Sequence, residues 1–262
     1  MPAIQVGQRT IYFRHSQRGN VSNAPPLVLV HGAGGTHMHW PAELRRLPAA
    51  TVYALDLPGH GQSPGAGCAT ITDYAQTVVD WADALQLPNF VLAGHSMGGA
   101  IAQTAALRQP TRLAGLILVG TGARLFVSPA ILDGLSRDYA ATARLIAEWA
   151  YKRQADPAIL EAYTTAMLAT PVQVTHGDFL ACNAFDVTAA VSQIDLPTLV
   201  IVGLEDRLTP PKLSRFLAQQ MAAARLLEVA EAGHMVMLEQ SAIVTGAVHE
   251  FLLTLAAAET AH

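Results

Sequence analysis

The pentapeptide Gly94-His95-Ser96-Met97-Gly98 sets a hydroxyl between two glycines, after the apolar run Phe90–Ala93 and before a helical stretch, Met97–Arg108. A tight strand-to-helix turn of this kind presents a serine for nucleophilic attack, and side chains at positions 94 and 98 would collide with neighbouring backbone. A serine hydroxyl is a poor nucleophile without a base. The chain has 10 histidines. His234 follows the last apolar run, where a loop rises from the strand end. His95 is adjacent to the serine, but its side chain is expected to point away. His31 and His60 sit in glycine-containing loops, and the others, His39 among them, lack the placement. A base of this type needs a carboxylate to orient it. Glu205 and Asp206 both follow the run Leu199–Val202, and Asp206 is preferred as the third residue after Gly203. The run His31-Gly32-Ala33-Gly34-Gly35 would bring backbone N–H groups close to a developing oxyanion. The expected donors are the amides of Ala33 and Met97. No G-x-G-x-x-G or G-K-[ST] pattern supports a phosphate cradle instead.

Short apolar runs bounded by glycine, proline or charge must carry these groups. They are Leu27–Val30, Val52–Leu55, Phe90–Ala93, Leu116–Val119, Leu199–Val202 and Leu226–Val229, preceded by a hairpin from Ile4–Val6 and Ile11–Arg14. Uniformly apolar runs predict buried parallel strands. Helices are predicted over Ile71–Leu87, Met97–Arg108, Pro211–Gln220 and Ala242–Leu255. Alternating strands and helices give an α/β class, with a mostly parallel sheet covered on both faces. The stretch 121–194 carries no convincing strand, and at about 70 residues it is too long for a plain connection. It reads as a helical cap inserted between two strands, leaving 1–120 and 195–262 as the core.

Five segments, in order, resemble the α/β-hydrolase superfamily over essentially the whole chain: LVLVHGAGG, ALDLPGHGQS, GHSMGG, VIVGLEDRLTP and AGHMVMLEQ. The resemblance implies the α/β-hydrolase fold, a triad of Ser96, Asp206 and His234, and an oxyanion hole at Ala33 and Met97. It implies a structural role for Asp56 and His60. The segment Cys182–Asp186, CNAFD, is similar to capped members described as carboxylesterases or biotin-pathway methyl esterases. A serine at the elbow separates the chain from dehalogenases and epoxide hydrolases, which use aspartate. The HGAGG loop departs from haloperoxidases, which carry an aromatic residue after His-Gly.

The activity expected is ester hydrolysis through an acyl-enzyme, on small to medium, mainly uncharged substrates. Carbon–carbon hydrolysis of the meta-cleavage type, a cyanohydrin-type lyase and a binding protein on the same fold are the alternatives, since fold alone does not select chemistry. The expected substrate-binding residues are Gly34, Leu125, Phe126, Trp149, Phe179, Leu208 and Met235. Arg124 is either a carboxylate anchor or a solvated charge, and shortening the cap is expected to alter substrate preference more than triad geometry. No cofactor or metal is expected. With 51% hydrophobic residues, 14% charged and a net charge of −4, the chain lacks the basic block a nucleic acid would need. Two distant cysteines, Cys68 and Cys182, read as free thiols. The N-terminus has no apolar signal core, and no apolar run approaches the ~20 residues needed to span a bilayer. A cytoplasmic protein acting on a small molecule is therefore expected, with monomer or homo-oligomer left open.

Overall fold

The computed structural model describes residues 2–18 and 24–259. Eight strands form a single sheet: β1 (Ala3–Val6), β2 (Arg9–Gln17), β3 (Leu27–Val30), β4 (Thr51–Leu55), β5 (Phe90–His95), β6 (Leu113–Val119), β7 (Thr198–Gly203) and β8 (Ala224–Val229). Their spatial order is β1-β2-β4-β3-β5-β6-β7-β8. The β1–β2 hairpin joins β4 in antiparallel register, and every later pairing is parallel. This is the α/β-hydrolase fold. Every residue of β3, β5 and β7 is buried, which explains their uniform apolarity. β8 differs from the fully buried strand predicted for it. It closes one edge of the sheet, and Leu226 and Leu227 stay partly exposed.

The helices are α1 (Ala42–Arg45), α2 (Ile71–Ala84), α3 (Met97–Arg108), α4 (Pro129–Arg137), α5 (Tyr139–Ala150), α6 (Pro157–Leu168), α7 (Val172–Ala184), α8 (Pro211–Gln220), α9 (Val236–Glu239) and α10 (Ser241–Glu259). α2 stops short of the predicted Leu87. Gln86 turns to a φ of +52°, and the Leu87 amide folds back onto the Ala82 carbonyl at 3.0 Å, closing the helix. α10 is more apolar than the sequence reading allowed. Ser241–Ala258 has a mean hydropathy of 1.5, long and apolar enough by composition to cross a membrane. Here it packs on β6 and β7, burying Val244, Val248, Phe251 and Leu252.

Between β6 and β7 the chain forms α4 to α7 and, among the described residues, adds no strand to the sheet. Ser128, Asp138 and Asp156 cap α4, α5 and α6 by accepting the amides of Ala130, Ala141 and Ala158, and proline opens α4 and α6. The loops after β3, β5, β7 and β8 all leave the carboxyl end of the sheet, below these helices. Strand order reverses between β3 and β5, and a crevice opens at such a switch point.

Candidate active site

Ser96 follows β5 and caps the start of α3 with a φ of +54° and a ψ of −114°. A non-glycine residue in this region is strained and is held only by surrounding structure. Here Ser96 N–H donates to Val119 O at 2.9 Å, and Ser96 O accepts from Thr121 Oγ1 at 2.9 Å. The glycines on either side are sterically required. A Cβ on Gly94 would lie 2.0 Å from Gly98 O, and one on Gly98 would lie 2.3 Å from Val30 O.

His234 and Asp206 meet: Nδ1 lies 2.8 Å from Asp206 Oδ2. Asp206 also accepts the Leu208 and Thr209 amides on Oδ1 at 2.9 and 2.8 Å, and Thr209 Oγ1 is 2.8 Å from Oδ2. An acceptor held on both oxygens assigns the His234 proton to Nδ1 and leaves Nε2 basic. Glu205 turns away and accepts the Arg153 amide at 3.3 Å. His95 does more than point aside. Its ring lies 4.5 Å from that of His234, and Nε2–H donates to His234 O at 3.0 Å. Burial first, then the neighbouring His234, holds its pKa well below the usual histidine value, so it donates as a neutral ring. Glu239 adds a second support, accepting Gly233 N–H at 2.8 Å and Lys152 N–H at 3.0 Å.

The loop after β3 is built on buried polar contacts. His31 Nδ1–H donates to Gly32 O at 2.8 Å while Nε2 accepts Leu57 N–H at 3.0 Å. Asp56 is fully buried and accepts both His37 N–H and His37 Nδ1–H, at 2.8 and 2.9 Å, and Gln62 N–H at 2.9 Å. Burial alone would raise its carboxyl, but these bonds hold it below the usual carboxylate value. Met97 opens α3, where helix geometry leaves its amide without an intrahelical acceptor. Among the described residues the Ala33 and Met97 amides donate to no protein atom.

Ser96, His234, Gly32 and Ala33 line one cavity of about 460 Å³. Leu125, Phe126, Trp149, Phe179 and Leu208 line it as well. Two expected pocket residues do not. Gly34 is turned away by a φ of +63° and spends its amide on Asp178. Met235 is fully buried beneath the loop, its amide bonded to Ala150 O at 3.0 Å. Arg124 is two-thirds exposed and pairs with Asp186 at 3.5 Å outside the cavity. His39, set aside on sequence, does line the cavity, stacked on Tyr163 at 5.4 Å. Burial, then His60 and His234, lower it to about 4, so it is neutral. Arg207 and Lys212, outside the segment 121–194, add two cations to the lining. Their signal was position, since both closely follow Asp206. Among the described residues no cluster of three or more His, Cys, Asp or Glu could hold a metal ion.

Residues 27–247 match the model of the alpha/beta hydrolase family. The chain is 30% identical over 226 residues to a pimeloyl-[acyl-carrier protein] methyl ester esterase of Sodalis glossinidius, covering 79% of this chain and 86% of that one. It is 32% identical over 244 residues to the dihydrolipoyllysine-residue acetyltransferase component of an acetoin cleaving system of Pseudomonas putida. That match covers 87% of this chain but spans only 63% of the relative's length. A solved thermophilic esterase superposes with a TM-score of 0.84 at 31% identity, over 97% of both chains. The elbow turn, the sheet order and these likenesses agree: the chain belongs to the alpha/beta hydrolase family and is a hydrolase with esterase-like relatives.

Proposed function

We propose that the protein hydrolyses carboxylic esters of small to medium, mainly uncharged substrates through a Ser96 acyl-enzyme. Ser96 Oγ attacks the ester carbonyl while its proton passes to His234 Nε2. The carbonyl oxygen gains charge and is received by the Ala33 and Met97 amides. The intermediate collapses by breaking the bond to the leaving alkoxide, which takes the proton from His234. Water then attacks the acyl-enzyme by the same route in reverse roles. Asp206 keeps Nδ1 protonated and stabilises the imidazolium. The observation that carries the reading is the strained turn of Ser96 on the wall of a cavity shared with His234, whose Nδ1 is held by buried Asp206. The apolar side chains Leu125, Phe126, Trp149, Phe179 and Leu208 around them favour a neutral acyl or alcohol group, and of the two lining cations Arg207 already donates to the Glu148 and Tyr151 carbonyls. The test is labelling by a fluorophosphonate, read by peptide mass spectrometry. Labelling should fall on Ser96 alone, and Ser96→Ala should abolish it and lower turnover by roughly 10³-fold or more. If p-nitrophenyl acetate and butyrate are untouched while a dienol carboxylate is cleaved, carbon–carbon hydrolysis replaces this reading.

A further inference from the structure

Asp178 lies in the middle of α7 and is fully buried. A carboxyl group in such a place needs partners, and it has three from distant parts of the core. Gly34 N–H donates to Oδ2 at 2.9 Å, His60 Nε2 lies 2.7 Å from the same oxygen, and Tyr74 O–H donates to Oδ1 at 2.6 Å. The ring of His60 is itself anchored, with Nδ1–H donating to Pro58 O at 3.0 Å. With acceptors at both nitrogens, the ring is an imidazolium.

The contact with Gly34 is the informative one. Gly34 immediately follows Ala33, whose amide the proposed mechanism uses. It adopts a left-handed φ of +63°, and a Cβ there would meet Thr175 of α7 at 3.0 Å. Its carbonyl is held too, because Thr170 Oγ1 donates to Gly34 O at 3.2 Å. Thus both backbone polar atoms of Gly34, the residue after Ala33, are bonded to side chains from the 121–194 segment. A loop rich in glycine has no intrinsic preference for one arrangement. A backbone bond from Gly35 N–H to Gly32 O at 3.1 Å closes the turn, and Asp178 and Thr170 fix its Gly34 corner from outside.

We infer that Asp178 is a positioning residue for the oxyanion loop: through Gly34 it aims the Ala33 amide at the reacting carbonyl. The inference rests on the serine-hydrolase reading of the site. Asp178 touches no substrate, since it does not line the cavity. Its loss should therefore act on the chemical step rather than on binding. A misaimed donor costs on the order of 10- to 100-fold in turnover. In Asp178→Asn the amide oxygen can still accept from Gly34 while the amide nitrogen faces Tyr74, so part of the activity should return.

The experiment compares wild type, Asp178→Ala, Asp178→Asn and Thr170→Val by steady-state kinetics on p-nitrophenyl butyrate and by the second-order rate of fluorophosphonate labelling. Folded content is read by circular dichroism. In Asp178→Ala, kcat and the labelling rate should fall together by roughly 10- to 100-fold, with KM within about threefold of wild type. Asp178→Asn should lie between, and Thr170→Val should shift in the same direction by less. If Asp178→Ala does not fold, Thr170→Val and Asp178→Asn decide the matter alone. A change confined to KM, or unaltered kcat and labelling in folded variants, overturns the positioning role. Failure of wild type itself to label at Ser96 would instead sink the serine-hydrolase reading.

Discussion

His60 and Asp178 form a buried ion pair, with the side chains of both fully excluded from solvent. Replacing His60 by leucine leaves the Asp178 carboxyl with the Gly34 and Tyr74 donors but without its counter-charge. Removing one member of a buried pair costs about 3–5 kcal/mol. Domains of this kind have only about 5–15 kcal/mol in total. At about 2–4 °C per kcal/mol for a chain of this size, His60→Leu should lower Tm by roughly 6–20 °C. The double variant His60→Leu/Asp178→Asn removes both charges and keeps an acceptor for Gly34. It should lose less than the sum of the two single changes, with a coupling of about 1–3 kcal/mol. Guanidinium unfolding of all four proteins measures that coupling. The pH dependence has a definite sign. Burial would lower the His60 pKa, but Asp178 raises it above the ordinary value. The pair's contribution is therefore complete below the free-histidine value of about 6.5 and is lost as pH rises through the elevated folded value. The gap between wild type and double variant should shrink as pH rises above 7. A His60→Leu protein with wild-type Tm, additive single changes, or a gap that widens with pH would refute the buried-pair account.

The carboxyl assignment at the His234 loop is checked by comparing Asp206→Asn with Glu205→Gln. The first should lose roughly 10³- to 10⁴-fold in kcat by disturbing the His234 tautomer, and the second, which removes only a charge facing the Arg153 amide, should lose little; equal losses would reverse the assignment. Asp56 works in the opposite pH direction to His60. Its folded value is depressed, so its stabilisation is present above the free-aspartate value of about 3.9 and is lost as pH falls through the lower folded value. Asp56→Asn should therefore flatten the acid limb of the stability profile, measured by guanidinium unfolding between about pH 5 and 3. Burial lowers the His39 pKa to about 4, so His39→Phe should change KM for esters while leaving the rate–pH profile unmoved above about pH 5; a displaced profile would mean that His39 takes part in proton transfer.

Much of this was legible because its causes are local. The run Phe90–Ala93 followed by Gly-x-Ser-x-Gly is legible because a tight turn admits only glycine at 94 and 98. The uniform apolarity of β3, β5 and β7 follows from burial on both faces. Position within a loop was not legible. Gly34 and Gly32 are the same residue type two places apart, yet one borders the cavity and the other turns its amide to Asp178. His39 and Met235 fail for the same reason, since side-chain direction in a single short turn, 37–39, or at a helix cap has no period to read. Asp178 was missed because its partners are 104, 118 and 144 residues away in the chain. α7 also gives no warning of it: the helix buries Val174, Thr175, Asp178, Ala181 and Cys182 without a clean apolar stripe.

Those long-range bonds change what the helical segment 121–194 does. A detachable lid would touch the core mainly through substrate-facing side chains, and its loss would alter preference alone. Here it also grips both loops on which the proposed chemistry depends. Asp178 and Thr170 hold Gly34, next to Ala33. The Ala150 carbonyl takes the Met235 amide, Glu239 ties Gly233 to the Lys152 amide, and a Cβ on Gly233 would strike Tyr151 at 2.7 Å. Two kinds of change within one segment should therefore separate. Substitutions that only face the cavity, such as Trp149→Ala or Phe179→Ala, should shift the ratio of kcat/KM between acetate and butyrate esters by about 10-fold, with labelling of Ser96 largely preserved. Replacing the segment 122–190 by a short linker should instead depress labelling and turnover on every ester together, because the Gly32–Gly35 loop and the His234 loop lose their anchors. The comparison needs only p-nitrophenyl esters of two chain lengths and one fluorophosphonate. A shortened protein that folds, labels at the wild-type rate and merely changes its preference would show that the loops hold their shape unaided.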